Sequence, residues 1–277
     1  MTTSIANTPS PTATAADLLT EQARLLGIAG RSWADRRVSW ALGSVLVLSV
    51  ASAWNAGQGA AAAVAGGASE SAAMLSDPGV LVLMWTKGGA GAVLVLMALS
   101  LTRPFETGMA DAERLAVPRG WQWPLSRWGA AAALLVAATL VVAPLTWHVA
   151  HVAGGVQGTG AGAAQAMDAA RWAMAGRLAL GLGLVTALVA GIASLVRNSA
   201  VVLSLCGLWF VLGEEIAAIA PVLHPVAQWL PLANLWHFVG FTMSSTAVPS
   251  WSPTTSGLLL ATTSALVFAV GVWRSYR

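Results

Sequence analysis

Six stretches of this chain run for most of a bilayer's thickness with few charges. They cover residues 38–54, 79–101, 128–150, 172–196, 200–220 and 256–273. A helix needs about 20 apolar residues to cross the hydrocarbon core, so the first and last borrow residues from the interface. Only helices or closed barrels satisfy their backbone groups in lipid, and runs this long and continuous favour helices. The chain is 57% hydrophobic and 9% charged, far from the balance of a soluble domain. The expectation is an all-α membrane protein with six transmembrane helices spanning residues 38–277.

The basic residues orient it. Arg24, Arg31, Arg36 and Arg37 precede the first span. Arg103, Arg114, Arg119 and Arg127 lie between the second and third, Arg197 between the fourth and fifth, and Arg274 and Arg277 after the sixth. With the N-terminus inside, 11 of the 14 basic residues are cytoplasmic, which predicts an N-in, C-in topology. Trp40, Trp54, Trp128, Trp147, Trp172, Trp251 and Trp273 fall near predicted span ends, where amphipathic rings are favoured. Thirteen of the 14 basic residues are arginine and alanine is abundant, a composition of GC-rich bacteria that points to a bacterial cytoplasmic (plasma) membrane, multi-pass. The net charge of +3 is scattered, without a basic aromatic stripe, which argues against nucleic acid.

Outside the spans, residues 1–15 are rich in Ser, Thr, Pro and Ala and read as a disordered tail, with no pattern of a cleaved signal peptide. Residues 16–37 read as an amphipathic interfacial helix, with Leu19, Ala23 and Leu26, joined by Leu18 and Leu25, on the apolar side. An ordinary solvated helix is the plainer alternative. Residues 221–255 carry apolar and aromatic side chains between prolines, too interrupted for a span. They read as short re-entrant outer helices before the last span, with Trp229, Pro231, Asn234 and His237 as marked residues.

Lys87 lies about 12 Å below the outer end of the second span at 1.5 Å per residue, and Glu214 about 9 Å below the outer end of the fifth. Their depths match. Lys87 paired with Glu214 or Glu215 would line a polar outer cavity, or would only pin two spans together. His148 and His151, three apart on one helix, could offer two imidazoles to a metal, but no carboxylate or thiol accompanies them in sequence. Gly88, Gly89 and Gly91 in the second span and Gly176, Gly181, Gly183 and Gly191 in the fourth permit close helix approach. The Gly-rich segment 154–165 has no strand context for a dinucleotide site. A single cysteine, Cys206, rules out an internal disulfide and a cysteine metal cluster.

The longest charged interval, residues 103–127, contains Phe105, Glu106, Thr107, Gly108, Met109, Asp111, Glu113, Arg114, Pro118 and Arg119. Residues 105–116 suit a short helix, with Pro104 near its start and Pro118 ending it. An aromatic, then Thr-Gly-apolar, then a short helix ending in Pro-Arg after the second span resembles the type-2 ABC transporter permeases. The segment LVRNSAVVLSL from Leu195 to Leu205 and WLPLANLW from Trp229 to Trp236 also resemble that family, as does the layout of the whole chain. Pro104 stands where the family usually has a glutamate, and Asp111 and Glu113 where basic residues are common.

The resemblance implies that residues 105–116 form a coupling helix seated in a separate ATP-binding cassette subunit. It also implies that residues 221–240 cap the pathway from outside and that a second permease copy or homologue completes a dimer. No phosphate-binding G-x-x-x-x-G-K-[ST] loop occurs in the chain. The expectation is therefore a permease subunit and not an enzyme, with no cofactor of its own and with ATP and Mg in the partner. It would export a hydrophobic or amphipathic substrate. The alternative is a non-transport membrane scaffold or accessory subunit of a larger complex; a metal- or haem-handling protein using His148 and His151 is a third.

Overall fold

A computed structural model of the chain describes residues 20–25, 27, 43, 46–56, 58, 62, 91–109, 120–153, 169–208, 220–240 and 249–276. Among these the regular structure is entirely helical. The main helices are α1 (Leu46–Ala56), α2 (Gly91–Glu106), α3 (Gln122–Ala153), α4 (Ala169–Val196), α5 (Ser199–Gly207), α6 (Pro231–Val239) and α7 (Pro253–Tyr276). Two shorter turns, Pro221–Leu223 and His224–Ala227, precede α6.

Three of the described helices, α3, α4 and α7, are long and apolar enough to cross a membrane. At 1.5 Å per residue the 28 residues of α4 span about 42 Å, more than a hydrocarbon core. The described parts of the other expected spans are shorter, and residues 79–90 and 209–219 lie outside the described residues.

Helix α4 is the centre. It packs against α2, α3, α5, α6 and α7, and 67% of its most apolar window is buried, against 33% for α3 and 22% for α7. Its inward positions Leu178, Leu182, Val185 and Val189 follow helical spacing and meet Val93, Met97 and Leu101 of α2. Leu135 of α3, Val202 of α5, Leu235 of α6 and Leu260 of α7 close the same core. Large apolar side chains also face outward, among them Val141, Leu180, Leu258 and Leu266. A surface this apolar suits lipid or a partner chain and not water.

Two crossings depend on glycine. At Gly191 an added Cβ would lie 2.6 Å from the Val267 carbonyl oxygen, and at Gly271 one would lie 2.6 Å from that of Gly191. There α4 and α7 touch backbone to backbone. Gly257 lies under the Phe238 ring, where a Cβ would come within 2.6 Å. Gly181 faces the end of Leu235, Gly183 makes ordinary contact with Val136, and Gly91 and Gly176 face open space. Helix α1 packs Ala53 and Ala56 against Ala150 near the end of α3.

Several sequence-based boundaries move. The break expected before Phe105 is not there: α2 runs through Pro104 and ends at Glu106, so Phe105 and Glu106 close one helix instead of opening another. Helix α3 begins at Gln122, six residues before the expected span, because Pro124 is tolerated in a first turn and Trp123 is buried. Trp128 consequently sits two turns inside α3. It packs on Phe268 of α7 and donates its Nε1–H to the Gly183 carbonyl at 3.4 Å, so it is a packing residue and not an end anchor. Of the N-terminal helix, residues 20–25 are helical; Leu25 is buried, Ala23 is exposed, and Arg24 pairs with Glu21 at 2.9 Å.

Candidate functional site

Four chain segments meet at the end of the bundle that carries Arg103, Arg127, Arg197 and Arg274. The meeting begins with a missing donor. Pro104 has no N–H, so the Ser100 carbonyl four residues earlier loses its helical partner. Arg127 of α3 donates from Nη1 to that carbonyl. Its guanidinium also lies over the Trp123 ring, 4.9 Å from the centroid, and Trp123 meets Phe105 edge to face at 5.7 Å. The last turn of α2 is thus fastened to the first turns of α3.

The α4–α5 turn is fastened to the same place. Arg197 takes a left-handed backbone, φ 57°, a conformation glycine usually supplies after a helix. Its guanidinium donates to the Arg274 carbonyl at 3.0 Å and stacks over the Phe105 ring at 5.0 Å. Asn198 caps α5, accepting the Val201 N–H at 3.0 Å. Glu106 Oε1 accepts both the backbone N–H and the hydroxyl of Ser199, each at 2.6 Å. These hydroxyl and amide bonds, with Arg103 nearby, hold the Glu106 carboxyl below its ordinary value of 4.5. A carboxylate at a helix N-terminus is also favoured by the helix dipole.

The chain then leaves α2. Thr107 donates its N–H and hydroxyl to the Arg103 carbonyl at 2.9 and 3.0 Å, Gly108 turns the backbone with φ 71°, and Met109 is exposed. Of the expected coupling residues, Phe105, Glu106, Thr107, Gly108 and Met109 fall in this junction. Asp111, Glu113, Arg114, Pro118 and Arg119 lie outside the described residues, as do Lys87, Glu214 and Glu215.

A second polar cluster closes the opposite end, where α6 meets the start of α7. Asn234 is fully buried and donates from Nδ2 to the Gln228 and Leu230 carbonyls, each at 2.9 Å. Trp251 Nε1–H donates to Ser256 Oγ at 2.8 Å and lies 3.3 Å from Asn234 Oδ1. His237 Nδ1 shares a 2.9 Å hydrogen bond with the same Ser256 hydroxyl. Burial pushes the His237 imidazole below its ordinary value, favouring the neutral ring that can accept the Ser256 proton. Trp229 is exposed and packs on Trp251 at a tilt of 52° with centroids 4.8 Å apart, and Pro231 opens α6 at a position that needs no N–H. Beside this end, Arg171 lies over Trp147 at 4.4 Å, joining α3 to α4.

Sequence reasoning marked Asn234, His237, Trp229 and Pro231 as outer-segment residues, but Trp251 only as an interfacial ring and Ser256 only as the start of a span. It marked Phe105 and Glu106 as coupling residues, but Arg127 and Arg197 only for topology and Ser199 only within the segment Leu195 to Leu205. Asn198-Ser199 before an apolar run is a legible helix start; nothing local points from it to Glu106, 93 residues earlier. His148 is exposed, and among the described residues no group of three or more His, Cys, Asp or Glu could hold a metal. Compared with protein families, curated proteins and solved structures, the chain has no match.

Proposed function

We propose that this chain is the membrane-spanning permease subunit of an ATP-driven ABC exporter. In this reading it has six spans with both termini inside and lies in a bacterial cytoplasmic membrane. It works with a separate ATP-binding subunit and with a second permease copy or homologue. The observation that carries the reading is the junction at the basic end of the bundle. There the start of the segment resembling a coupling helix, Phe105 and Glu106, is bound to the α4–α5 turn and, through Arg197, to the end of α7. A push on residues 105–116 is then delivered to several helix ends at once.

The mechanism is mechanical. Closure of the ATP-binding subunits displaces the coupling segments, and the two permease halves rock to expose a cavity outward. ATP can drive this only through a difference in its binding free energy between the two states. A chain that is 57% hydrophobic and 9% charged favours a hydrophobic or amphipathic cargo. The cluster of Asn234, His237, Trp251 and Ser256 holds α6 as an outer cap on α7.

The test is affinity purification of the tagged protein in mild detergent, assayed for bound ATPase and Mg-ATP hydrolysis, beside Gly108→Pro. Proline fixes φ near −65° and cannot adopt the φ of 71° at this turn. The reading predicts that an ATP-binding chain accompanies the wild type and that Gly108→Pro loses it or uncouples its hydrolysis. A folded wild type that brings down other membrane proteins and no ATPase would overturn the reading in favour of an accessory subunit.

A further inference from the structure

If residues 105–116 receive the push, something must carry it onward to α5. We infer that Glu106 is the positioning residue that does so, binding the end of α2 and the start of α5 into one moving body. The inference rests on the permease reading.

The first turn of a helix leaves its N–H groups without partners inside the helix. In α5, Asn198 serves Val201 from within the same turn, while Val202 reaches the Asn198 carbonyl at 3.0 Å. The Ser199 N–H and hydroxyl are served from elsewhere, by one carboxylate oxygen 93 residues away in sequence. Part of the cap of α5 is therefore a piece of α2. The bonds are charge-assisted and short, which suits a contact that must hold while its surroundings move. The lowered proton affinity of Glu106 keeps it ionised at neutral pH.

The two sides of the α4–α5 turn are held differently. Arg197 is hydrogen-bonded to α7 through the Arg274 carbonyl and meets α2 only through the Phe105 ring, whereas Ser199 is hydrogen-bonded to α2 through Glu106. Between them stand the left-handed Arg197 backbone and the extended Asn198 at φ −131°, ψ 121°. A displacement of the α2 end consequently pulls on α5, while α4 stays packed on α7 through Gly191 and Gly271. Glu106 gives α5 its own hydrogen-bonded link to the α2 end.

Hydrogen–deuterium exchange on the full-length protein, purified with its accompanying ATPase, tests this. Without nucleotide, Glu106→Ala should speed exchange at residues 199–202 about five- to tenfold, the scale of a lost helix cap. Residues 178–193 should not change. Glu106→Gln, which keeps an acceptor without the charge, should fall between and carries the comparison if Glu106→Ala does not accumulate. In the particles that retain the ATPase, Mg-ATP with vanadate should alter exchange at 199–202 in the wild type and not in Glu106→Ala. Unchanged exchange at 199–202 in Glu106→Ala, or a nucleotide response that survives the substitution, would overturn the inference. A wild type that binds no ATPase would overturn the permease reading and the coupling role with it. The nucleotide-free exchange would then still decide separately whether Glu106 holds α5.

Discussion

Pro104 and Arg127 form a pair although they never touch as donor and acceptor. One removes a hydrogen bond from the Ser100 carbonyl and the other replaces it. Arg127→Met should therefore destabilise the protein, since a hydrogen bond to a charged group is worth about 1.5–3 kcal/mol. In a Pro104→Ala background the helix regains its own donor, and the same substitution should cost about 1–2 kcal/mol less. A double-mutant cycle read by thermal unfolding in detergent checks this; additive effects would contradict it. His237 carries the other residue-scale expectation. Its folded-state proton affinity lies below the ordinary value of 6.5 because of burial. The hold of α6 on α7 is then complete above pH 6.5 and is lost as pH falls through the depressed value. Protonation would give Ser256 Oγ a second donor beside Trp251 and strand its own proton. Lowering pH from 7.5 to 5.5 should reduce the melting temperature of the wild type more than that of His237→Gln; equal slopes would contradict the assignment.

At the level of elements, helix contacts are set by where side chains are absent. At Gly191 an added Cβ meets the backbone of Val267 and Phe268, which cannot turn aside. At Gly181 it meets only the flexible end of Leu235. Gly191→Ala should cost about 1–3 kcal/mol as an overpacked contact, and Gly181→Ala clearly less; melting temperatures of the two variants in one detergent rank them. Much of this level was legible in sequence. The long apolar runs mark α4, α7 and the far end of α3 to within three residues, and Pro231 lies at a helix start. Pro104 misleads because a proline signals a helix start only while its missing donor is harmless. Here a distant arginine makes it tolerable inside α2, and no local pattern announces that. The left-handed Arg197 was equally hidden, since a glycine would have signalled the turn and arginine does not. Four candidate glycines in the fourth run were visible; which of them meet backbone depends on how α4 crosses α7.

Across the whole molecule the two polar clusters sit at opposite ends of α4. Arg171 and Arg197, which mark those ends, are 26 residues apart, roughly 39 Å at 1.5 Å per residue. Between them the faces of α3 and α7 stay largely uncovered while α4 is enclosed. Such an arrangement leaves apolar faces on α3 and α7 for lipid or a partner chain. The basic end is the side that the arginine distribution assigns to the cytoplasm, and there the proposed coupling segment begins. In the proposed function this chain transports by borrowing ATP hydrolysis from another, and native mass spectrometry of the complex released from mild detergent decides it. A particle is expected with two permease chains, this one twice or with a homologue, and two ATP-binding chains, whose Mg-ATP hydrolysis falls with Gly108→Pro. A folded particle containing this chain alone, or this chain with partners that bind no ATP, would contradict it.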